Sequence, residues 1–217
     1  MLTRSTRTTL AALALLMIVA GSATAEDLSD RQMVGGRVGG WFNTGDDGPV
    51  VTRTDPGETV EQDINSGGLY AELVYSRGFS KFLRFEFNAG LTSRTDLVSQ
   101  AQYIYGPINL YPIQFALRLY PFGSLSLGRL HPYGLGGFAL TIASQARQGV
   151  SQYYASSRTK ASVDLLIGAG IDIPVASQIA LNVSGKYHHV DFGEGSFDNV
   201  RDFSGFTAGL GVVFMKR

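Results

Sequence analysis

The chain has 217 residues, no cysteine, and 18 Lys and Arg balanced by 18 Asp and Glu. The absence of cysteine excludes disulfides and thiolate metal sites, and the balanced charge predicts no general affinity for nucleic acid. The length suits one domain. Beyond the first 25 residues, no apolar stretch is long enough for a helical membrane span.

The first 25 residues have the pattern of a secretory signal peptide that is cleaved after export. Arg4 and Arg7 supply the positive start, residues 10–19 the apolar run, and residues 23–25 the small-residue cleavage site. The apolar run is about ten residues, whereas a helix that spans a bilayer needs roughly 20. An uncleaved anchor helix is the alternative. Cleavage would leave a chain with two more acids than bases.

Alternation of apolar and polar residues marks eight candidate strands after the signal. A short lead covers residues 26–32, the strands lie within 33–214, and residues 215–217 form a C-terminal tail. An even number of alternating strands is typical of bacterial outer-membrane barrels. The predicted strands are 33–42, 67–75, 82–91, 109–122, 131–142, 161–173, 179–187 and 203–214.

The connections between these strands alternate in length. Long polar connections cover residues 43–65, 92–106, 143–160 and 191–202, and short ones cover 76–81, 123–130 and 174–178. Outer-membrane barrels combine long extracellular loops with short periplasmic turns. A soluble sandwich has no reason to sort its loops in this way.

The two faces of the strands differ in composition. One face is apolar and includes Leu73, Phe85, Leu117, Ile167 and Val183. The opposite face carries four positive and four negative side chains, namely Arg37, Glu72, Arg84, Glu86, Arg118, Asp164, Asp172 and Lys186. We predict that these eight residues form a structural charge network.

Alternation alone does not say which face points inward, because a soluble lipocalin-like barrel has its apolar face inside. Aromatic residues near the strand ends favour two membrane girdles. They are Tyr75, Tyr133 and Phe214 on the short-turn side, and Phe42, Tyr111, Tyr187 and Phe206 on the long-loop side. Small residues on the polar face favour a narrow lumen; they are Gly35, Gly39, Gly90, Gly134, Gly136, Gly168, Gly170, Gly209 and Gly211. The charged face is therefore predicted to be inside.

The last strand adds a resemblance to a known family. Thr207, Gly209, Val212 and Phe214 match the spacing of the C-terminal assembly signal of bacterial outer-membrane barrels. With the strand starts at residues 130–134 and 173–176, the chain resembles the small outer-membrane β-barrel family of OmpA-, OmpX- and OmpW-type barrels. The resemblance implies an all-β, eight-stranded antiparallel transmembrane barrel, an up-and-down meander in the outer membrane of a Gram-negative bacterium. It also implies contact with the barrel-assembly machinery during biogenesis.

Two features depart from the family pattern. Residues 215–217 follow the aromatic residue on which the family usually ends. The fifth predicted strand carries Phe138, Leu140 and Ile142 on its nominally inward face. Either this strand is locally apolar inside or its register is shifted, since a shift of one residue exchanges the two faces.

The function hypotheses follow from the size of the barrel. Eight strands enclose a lumen that side chains fill, and four cations can pair there with four anions. We therefore predict a structural or surface-interaction barrel, monomeric, without catalysis or cofactor, which contacts outer-membrane lipid and lipopolysaccharide. The alternatives are a narrow OmpW-like channel for small or hydrophobic solutes and an outer-membrane lipid-modifying enzyme.

The histidines give little support to the enzymatic alternative. His188 and His189 are adjacent on a predicted strand, so their side chains point to opposite faces and are poorly placed to share one metal ion. The His-x-Ser order of an outer-membrane lipid A deacylase is missing, because Val190 and Asp191 occupy the two positions where the serine would stand. His131, before a proline at a turn, is assigned a structural role.

Overall fold

The computed structural model describes residues 31–45, 50–54, 58–62, 67–94, 99–100, 103–122, 130–149, 155–193 and 202–216. The predicted signal peptide, most of the predicted lead and parts of the predicted loops lie outside the described residues. Among the residues that are described, no helix is long and apolar enough to cross a membrane.

The described residues form eleven strands. Eight of them are long and correspond to the predicted strands, and three are short segments within the predicted connections. The bounds are β1 (Gln32–Asn43), β2 (Val50–Thr54), β3 (Glu58–Gln62), β4 (Gly67–Gly78), β5 (Leu83–Arg94), β6 (Ser99–Gln100), β7 (Tyr103–Leu119), β8 (His131–Gly149), β9 (Ala155–Ala176), β10 (Ile179–His189) and β11 (Gly205–Lys216).

The eight long strands form a closed antiparallel barrel. Neighbours along the chain pair with one another, and β1 closes the barrel by pairing with β11, for example Val34 with Phe214. The strands β2 and β3 form a separate hairpin, and β6 pairs with β7. The predicted eight-stranded antiparallel barrel is confirmed.

The register fixes how far the strands are staggered. In-register pairs lead from Phe42 around the barrel and back to β1 at Gln32, ten residues below the start. The circuit passes through Phe206, Tyr187, Ile167, Gly136, Leu117, Phe85 and Arg77. This stagger requires tilted strands, as in small barrels generally, where the tilt is roughly 35–45°. Gly136 is reached after the fourth of the eight strand pairings in this circuit. It therefore lies halfway in height between Phe42 and Gln32.

The outward face is apolar and exposed. Leu73, Ile167 and Leu210 are 71%, 66% and 63% exposed, and Phe42, Tyr111, Tyr187, Phe206 and Phe214 also face outward. A soluble barrel that buries its apolar face has no such surface. A continuous apolar belt around a polar interior is the arrangement of a membrane barrel.

The fifth barrel strand, β8, has the opposite orientation to the one predicted at its start. Tyr133 points into the lumen and is 3% exposed, whereas Phe138 is 52% exposed. Gly134 and Gly136, predicted inside, face outward with no heavy atom within 4 Å of an added Cβ. Tyr133 is held inside because its hydroxyl accepts a hydrogen bond from Asn182 Nδ2 (2.9 Å). The strand therefore keeps one continuous register and Phe138, Leu140 and Ile142 are not inside.

Several strands extend beyond the predicted bounds. A membrane strand needs about 9–11 residues, but β8 has 19 and β9 has 22. Their pairing continues outward to Gln148 and Ala155, within the predicted loop 143–160. At the other end, β11 continues past Phe214 to Lys216, and Met215 is buried in the lumen beside Met33. The barrel thus has a long extension of paired strands on its long-loop side, in which the outer end of β7 also pairs with β8, as far as Tyr103 and Gly149.

Candidate functional site

The lumen contains a network of buried ion pairs. Six of the eight predicted charges belong to it, and each comes from a different strand: Arg37, Glu72, Glu86, Arg118, Asp172 and Lys186. All six are 4% exposed or less. We call these six residues the ion network. Burial of charged groups is tolerated where each group has oppositely charged and hydrogen-bonding partners.

Glu86 binds two arginines. Arg37 Nη2 lies 2.6 Å from Oε1, and Arg118 donates to Oε2. The Asn88 side-chain amide adds a third donor at 2.7 Å. The carboxylate of Glu86 is therefore surrounded by donors although it is completely buried.

Glu72 and Lys186 form the outer part of the ion network. Lys186 Nζ lies 2.9 and 3.0 Å from the two carboxylate oxygens of Glu72, and Arg37 Nε lies 2.8 Å from Oε1. The Tyr70 hydroxyl also donates to Glu72. Lys186 completes its contacts with Gln114 Oε1 at 2.8 Å.

Asp172 forms the inner part of the ion network, towards the short turns. Its Oδ2 accepts from Arg118 Nη1 at 3.0 Å and from the Tyr120 hydroxyl at 2.7 Å. Its Oδ1 accepts from Asn182 Nδ2 at 2.6 Å. The Arg118 guanidinium also lies over the Tyr133 ring, 4.3 Å from its centroid.

The remaining two predicted charges are buried but lie apart from these ion pairs. Arg84 is near the short turns and donates to the main-chain oxygen of Arg31 at 2.5 Å and to Ser76 Oγ at 3.4 Å. Asp164 is on β9, eight residues outward from Asp172, and is 1% exposed. The structure thus brings together six of the eight predicted residues.

A glycine of the last strand makes room for the ion network. A Cβ on Gly211 would lie 2.3 Å from Arg37 Cγ and 2.5 Å from the main-chain oxygen of Gly36. Any larger residue there would displace Arg37 from Glu72 and Glu86. Small residues on this strand are therefore required by the packing of the lumen.

The long-loop end of the lumen holds buried apolar side chains that were not among the predicted site residues. We call them the outer apolar cluster: Trp41, Tyr70, Leu110, Ala143, Val190, Phe192 and Phe203. Trp41 stacks on His188 with ring centroids 4.7 Å apart, and Phe192 contacts Phe203 at 5.4 Å. The inward position of Trp41 could have been predicted from the sequence, because Trp41 lies an even number of residues from Arg37 on β1 and therefore on the same face.

Two short segments bring the phenylalanines over the lumen. Residues 190–193 follow β10, and residues 202–204 precede β11. The two segments are joined by a hydrogen bond from Phe203 N to the main-chain oxygen of Val190 (2.8 Å) and by the bridge between Asp191 and Asp202. Ser204 Oγ accepts from Val190 N at 3.0 Å, which fixes the two segments further.

The two adjacent histidines lie on opposite faces, as their positions on one strand predict. His188 is fully buried within the lumen, and its Nε2 lies 3.4 Å from Thr207 Oγ1. His189 is exposed, and its Nδ1 lies 3.1 Å from Ser204 Oγ. In the described part of the chain, no three His, Cys, Asp or Glu side chains are grouped as a metal site.

The four residues of the predicted assembly signal divide between the two faces of β11. Thr207 is buried in the lumen, where its hydroxyl donates to the main-chain oxygen of Lys186 at 3.3 Å, and Gly209 shares that face. Val212 and Phe214 face outward and are 43% and 59% exposed. Their part in assembly stays a prediction.

Buried side chains lie along the whole described lumen. Met33 and Met215 lie at the short-turn end, the ion network in the middle and the outer apolar cluster at the long-loop end. The ion network offers no carboxylate free of donors and no obvious route for a solute.

The sequence also matches a known protein family. The sequence model of the outer membrane protein beta-barrel domain matches residues 11–214. The chain belongs to this family.

Membership of the outer membrane protein β-barrel family points to the bacterial outer membrane. Among curated proteins, none matches the sequence. Solved structures of similar fold include Neisserial surface protein A, with a TM-score of 0.57 and 13% identity over 85% of this chain and 96% of that one. The outer membrane protein OprG from Pseudomonas aeruginosa has a TM-score of 0.56 and 15% identity, over 90% of this chain and 100% of its own.

A major outer membrane protein from Thermus thermophilus is also similar, with a TM-score of 0.54 and 9% identity over 86% of this chain and 99% of that one. At identities this low, the likeness concerns the fold of the outer-membrane barrel and not a shared activity.

Proposed function

We propose that this protein is a closed outer-membrane barrel whose role is structural and surface-interacting, carried by its long-loop side, without catalysis. The observation that carries the proposal is the filled lumen. Every member of the ion network is paired, and the outer apolar cluster covers it. A solute path would need several of these contacts to break at once.

The extension of β8 and β9 supports a role for the long-loop side. These strands pair from Gln145 and Arg158 outward to Gln148 and Ala155, beyond the length that a membrane strand needs. Paired strands that continue above the membrane are a suitable scaffold for contacts with neighbouring surface molecules, and loops held by such strands commonly carry binding. We infer that lipopolysaccharide is the first contact, because it forms the outer leaflet around such a barrel.

Planar bilayer recordings test the closed lumen. We expect purified wild-type protein to give no steady conductance, because the ion network and the outer apolar cluster fill the barrel. A narrow channel would give reproducible current steps, and such steps would contradict the proposal. The same preparation should show the heat-dependent gel mobility of a folded barrel, so that silence does not come from misfolded protein.

A shortened hairpin tests the surface role. Replacing residues 146–157 by Asn-Gly joins Gln145 to Arg158 and removes the outer ends of β8 and β9, with which the outer end of β7 pairs, without touching the ion network. We expect the variant to fold as a barrel and to bind lipopolysaccharide vesicles less strongly than the wild type. Equal binding by both proteins would show that the extension does not make this contact.

The absence of catalysis is tested separately. We expect the lipid A mass spectrum of expressing cells to match that of cells with an empty vector. A mass change abolished by His189→Ala or Ser204→Ala would instead identify the hydrogen-bonded pair at the rim as a catalytic site.

A further inference from the structure

Two basic side chains flank one residue of β1 at the short-turn end of the barrel. Gln32 pairs with Arg77 of β4 on one side and with Lys216 of β11 on the other. Because neighbouring strands lie about 4.8 Å apart, the Cα atoms of the two basic residues are about 10 Å apart. Both side chains are exposed and point outward, since their sequence neighbours Ser76 and Met215 are buried. We call Arg77 and Lys216 the basic pair.

The basic pair has no acidic partner in the described part of the chain. None of the ion pairs between described residues includes either member. The described acids lie in the lumen or on the long-loop side. Lys81, in the turn after β4, adds a third exposed cation on the short-turn side, with its Nζ 5.0 Å from the centroid of the Phe82 ring. The described short-turn rim therefore presents positive charge to its surroundings.

A shallow furrow on the lipid face begins at the basic pair. Going outward from Gln32, the outward positions of β1 are Val34, Gly36 and Val38, which we call the β1 furrow. Larger residues of the two neighbouring strands form its walls. They are Phe214 and Tyr75 beside Val34, and Val212 and Leu73 beside Gly36. A Cβ added to Gly36 would meet only the main-chain oxygen of Glu72, at 3.6 Å, so the space outside Gly36 is open.

The β1 furrow has the length of one lipid leaflet. Six residues separate Gln32 from Val38, which is about 20 Å along the strand. At a strand tilt of roughly 35–45°, this corresponds to about 15 Å in depth, half of a hydrocarbon core about 30 Å thick. An acyl chain that follows the furrow therefore has its headgroup beside the basic pair.

We propose that the basic pair and the β1 furrow bind one anionic phospholipid, in the leaflet opposite the lipopolysaccharide. The lipid phosphate accepts charge-assisted hydrogen bonds from the Arg77 guanidinium and the Lys216 ammonium group. One acyl chain lies in the furrow over Gly36. An anionic headgroup is preferred to a zwitterionic one, because the ammonium group of the latter is repelled by the basic pair. The inference is independent of the surface role proposed above, which concerns the long-loop side.

Native mass spectrometry of the folded, detergent-solubilised protein tests the charge requirement. The probes are dioleoyl phosphatidylglycerol, which is anionic, and dioleoyl phosphatidylethanolamine, which is zwitterionic. The double variant Arg77→Gln/Lys216→Gln is compared with Arg77→Lys/Lys216→Arg, which keeps both charges. Each basic residue at an anionic lipid surface contributes about fivefold to binding, so we expect the glutamine variant to bind phosphatidylglycerol about 25-fold more weakly. The charge-retaining variant should bind like the wild type, and both should prefer phosphatidylglycerol to phosphatidylethanolamine.

A pair of leucine variants tests the furrow. Gly36→Leu fills it, and Gly136→Leu makes the same change on the lipid face of β8, on the opposite side of the barrel. We expect Gly36→Leu to weaken phosphatidylglycerol binding and Gly136→Leu to leave it unchanged. Heat-dependent gel mobility shows which variants are folded, and if Gly36→Leu is not, the glutamine variant decides. The proposal is overturned if the glutamine variant binds phosphatidylglycerol as the wild type does, if the wild type does not prefer it to phosphatidylethanolamine, or if both folded leucine variants bind it equally.

Discussion

Glu86 holds the two parts of the ion network together. Arg37 from β1 binds its Oε1, and Arg118 from β7 binds its Oε2. Arg37 also contacts Glu72, and Arg118 also contacts Asp172, so the charges form a chain across the lumen. Removing the central carboxylate leaves two buried guanidiniums with one counter-charge each.

Glu86→Gln is therefore expected to destabilise the barrel strongly. Loss of one partner from a buried ion pair costs about 3–5 kcal/mol, because the other charge stays buried. The measurement is reversible urea unfolding in detergent micelles, followed by tryptophan fluorescence. Asp164→Asn is the matched control, since it removes a buried carboxylate that forms no ion pair with the Arg and Lys side chains of the described lumen. Equal unfolding midpoints for the two variants would contradict the assigned role of Glu86.

The inward position of the eight charges was predictable from residue parity, but their partners were not. Parity says which face a side chain occupies and gives no height within the lumen. Heights follow from the register between strands, which staggers by ten residues around the barrel. For this reason Asp172 meets Arg118, whereas Asp164, of the same parity on the same strand, lies at the outer rim and contacts none of the ion network.

At the scale of the element, β8 shows where the sequence pattern is ambiguous. Residues 131–137 read His-Pro-Tyr-Gly-Leu-Gly-Gly, so one set of alternate positions holds only proline and glycine and hydrophobicity does not distinguish the two faces. The structure resolves this because Tyr133 has a polar partner in Asn182 and a cation above its ring in Arg118. A tyrosine with such partners belongs inside, and the glycines then face the lipid.

The orientation of β8 can be tested with a pair of leucines. Gly136→Leu places a side chain where an added Cβ meets no atom within 4 Å, on the lipid face, so no loss of stability is expected. Ala139→Leu enlarges a fully buried residue packed in a cluster with Tyr133 and Leu166, and overpacking typically costs about 1–3 kcal/mol. Unfolding midpoints in urea measure both. A larger loss for Gly136→Leu would mean that the faces of β8 are reversed.

The lengths of β8 and β9 could not be read from alternation. Above the membrane both faces of a hairpin contact water, so there is no apolar face to give a period of two. Polar residues 143–160 therefore resemble a loop although their backbone continues to pair. The sequence locates the membrane part of a strand much better than its extension into water.

Substitutions in the last strand, β11, can distinguish an effect on assembly in cells from an effect on the stability of the folded barrel. Phe214 is exposed on the outward face, so Phe214→Ala is expected to leave refolding in detergent unchanged. If Phe214 is part of the assembly signal, the variant should accumulate less in the outer membrane of growing cells. Phe42→Ala is the control, because Phe42 is an outward aromatic of similar exposure on the neighbouring strand. Equal membrane levels for both variants would argue against an assembly role for Phe214.

At the scale of the whole molecule, the exposed apolar belt and the buried charges both indicate a barrel that is embedded in a membrane. Outward residues at the level of Leu117 and Ile167 lie near the middle of the in-register circuit between Phe42 and Gln32. Charged side chains placed there would face hydrocarbon, where their cost depends on depth. The depth of the apolar belt in the membrane can therefore be measured by how strongly charged substitutions destabilise the barrel.

A comparison of Leu117→Arg with Leu119→Arg tests the depth of the apolar belt on one strand. Leu117 is reached at the fifth of eight steps in the circuit, close to the middle, whereas Leu119 is two residues nearer the short turns at the end of β7. An arginine near the midplane costs about 2–4 kcal/mol and one near the interface about 0–1 kcal/mol. We therefore expect Leu117→Arg to lower the free energy of unfolding in lipid vesicles by several times more than Leu119→Arg. In detergent micelles, which adapt around a charge, the difference should shrink. Equal losses in vesicles would mean that the apolar belt is not embedded at the depth that the register indicates.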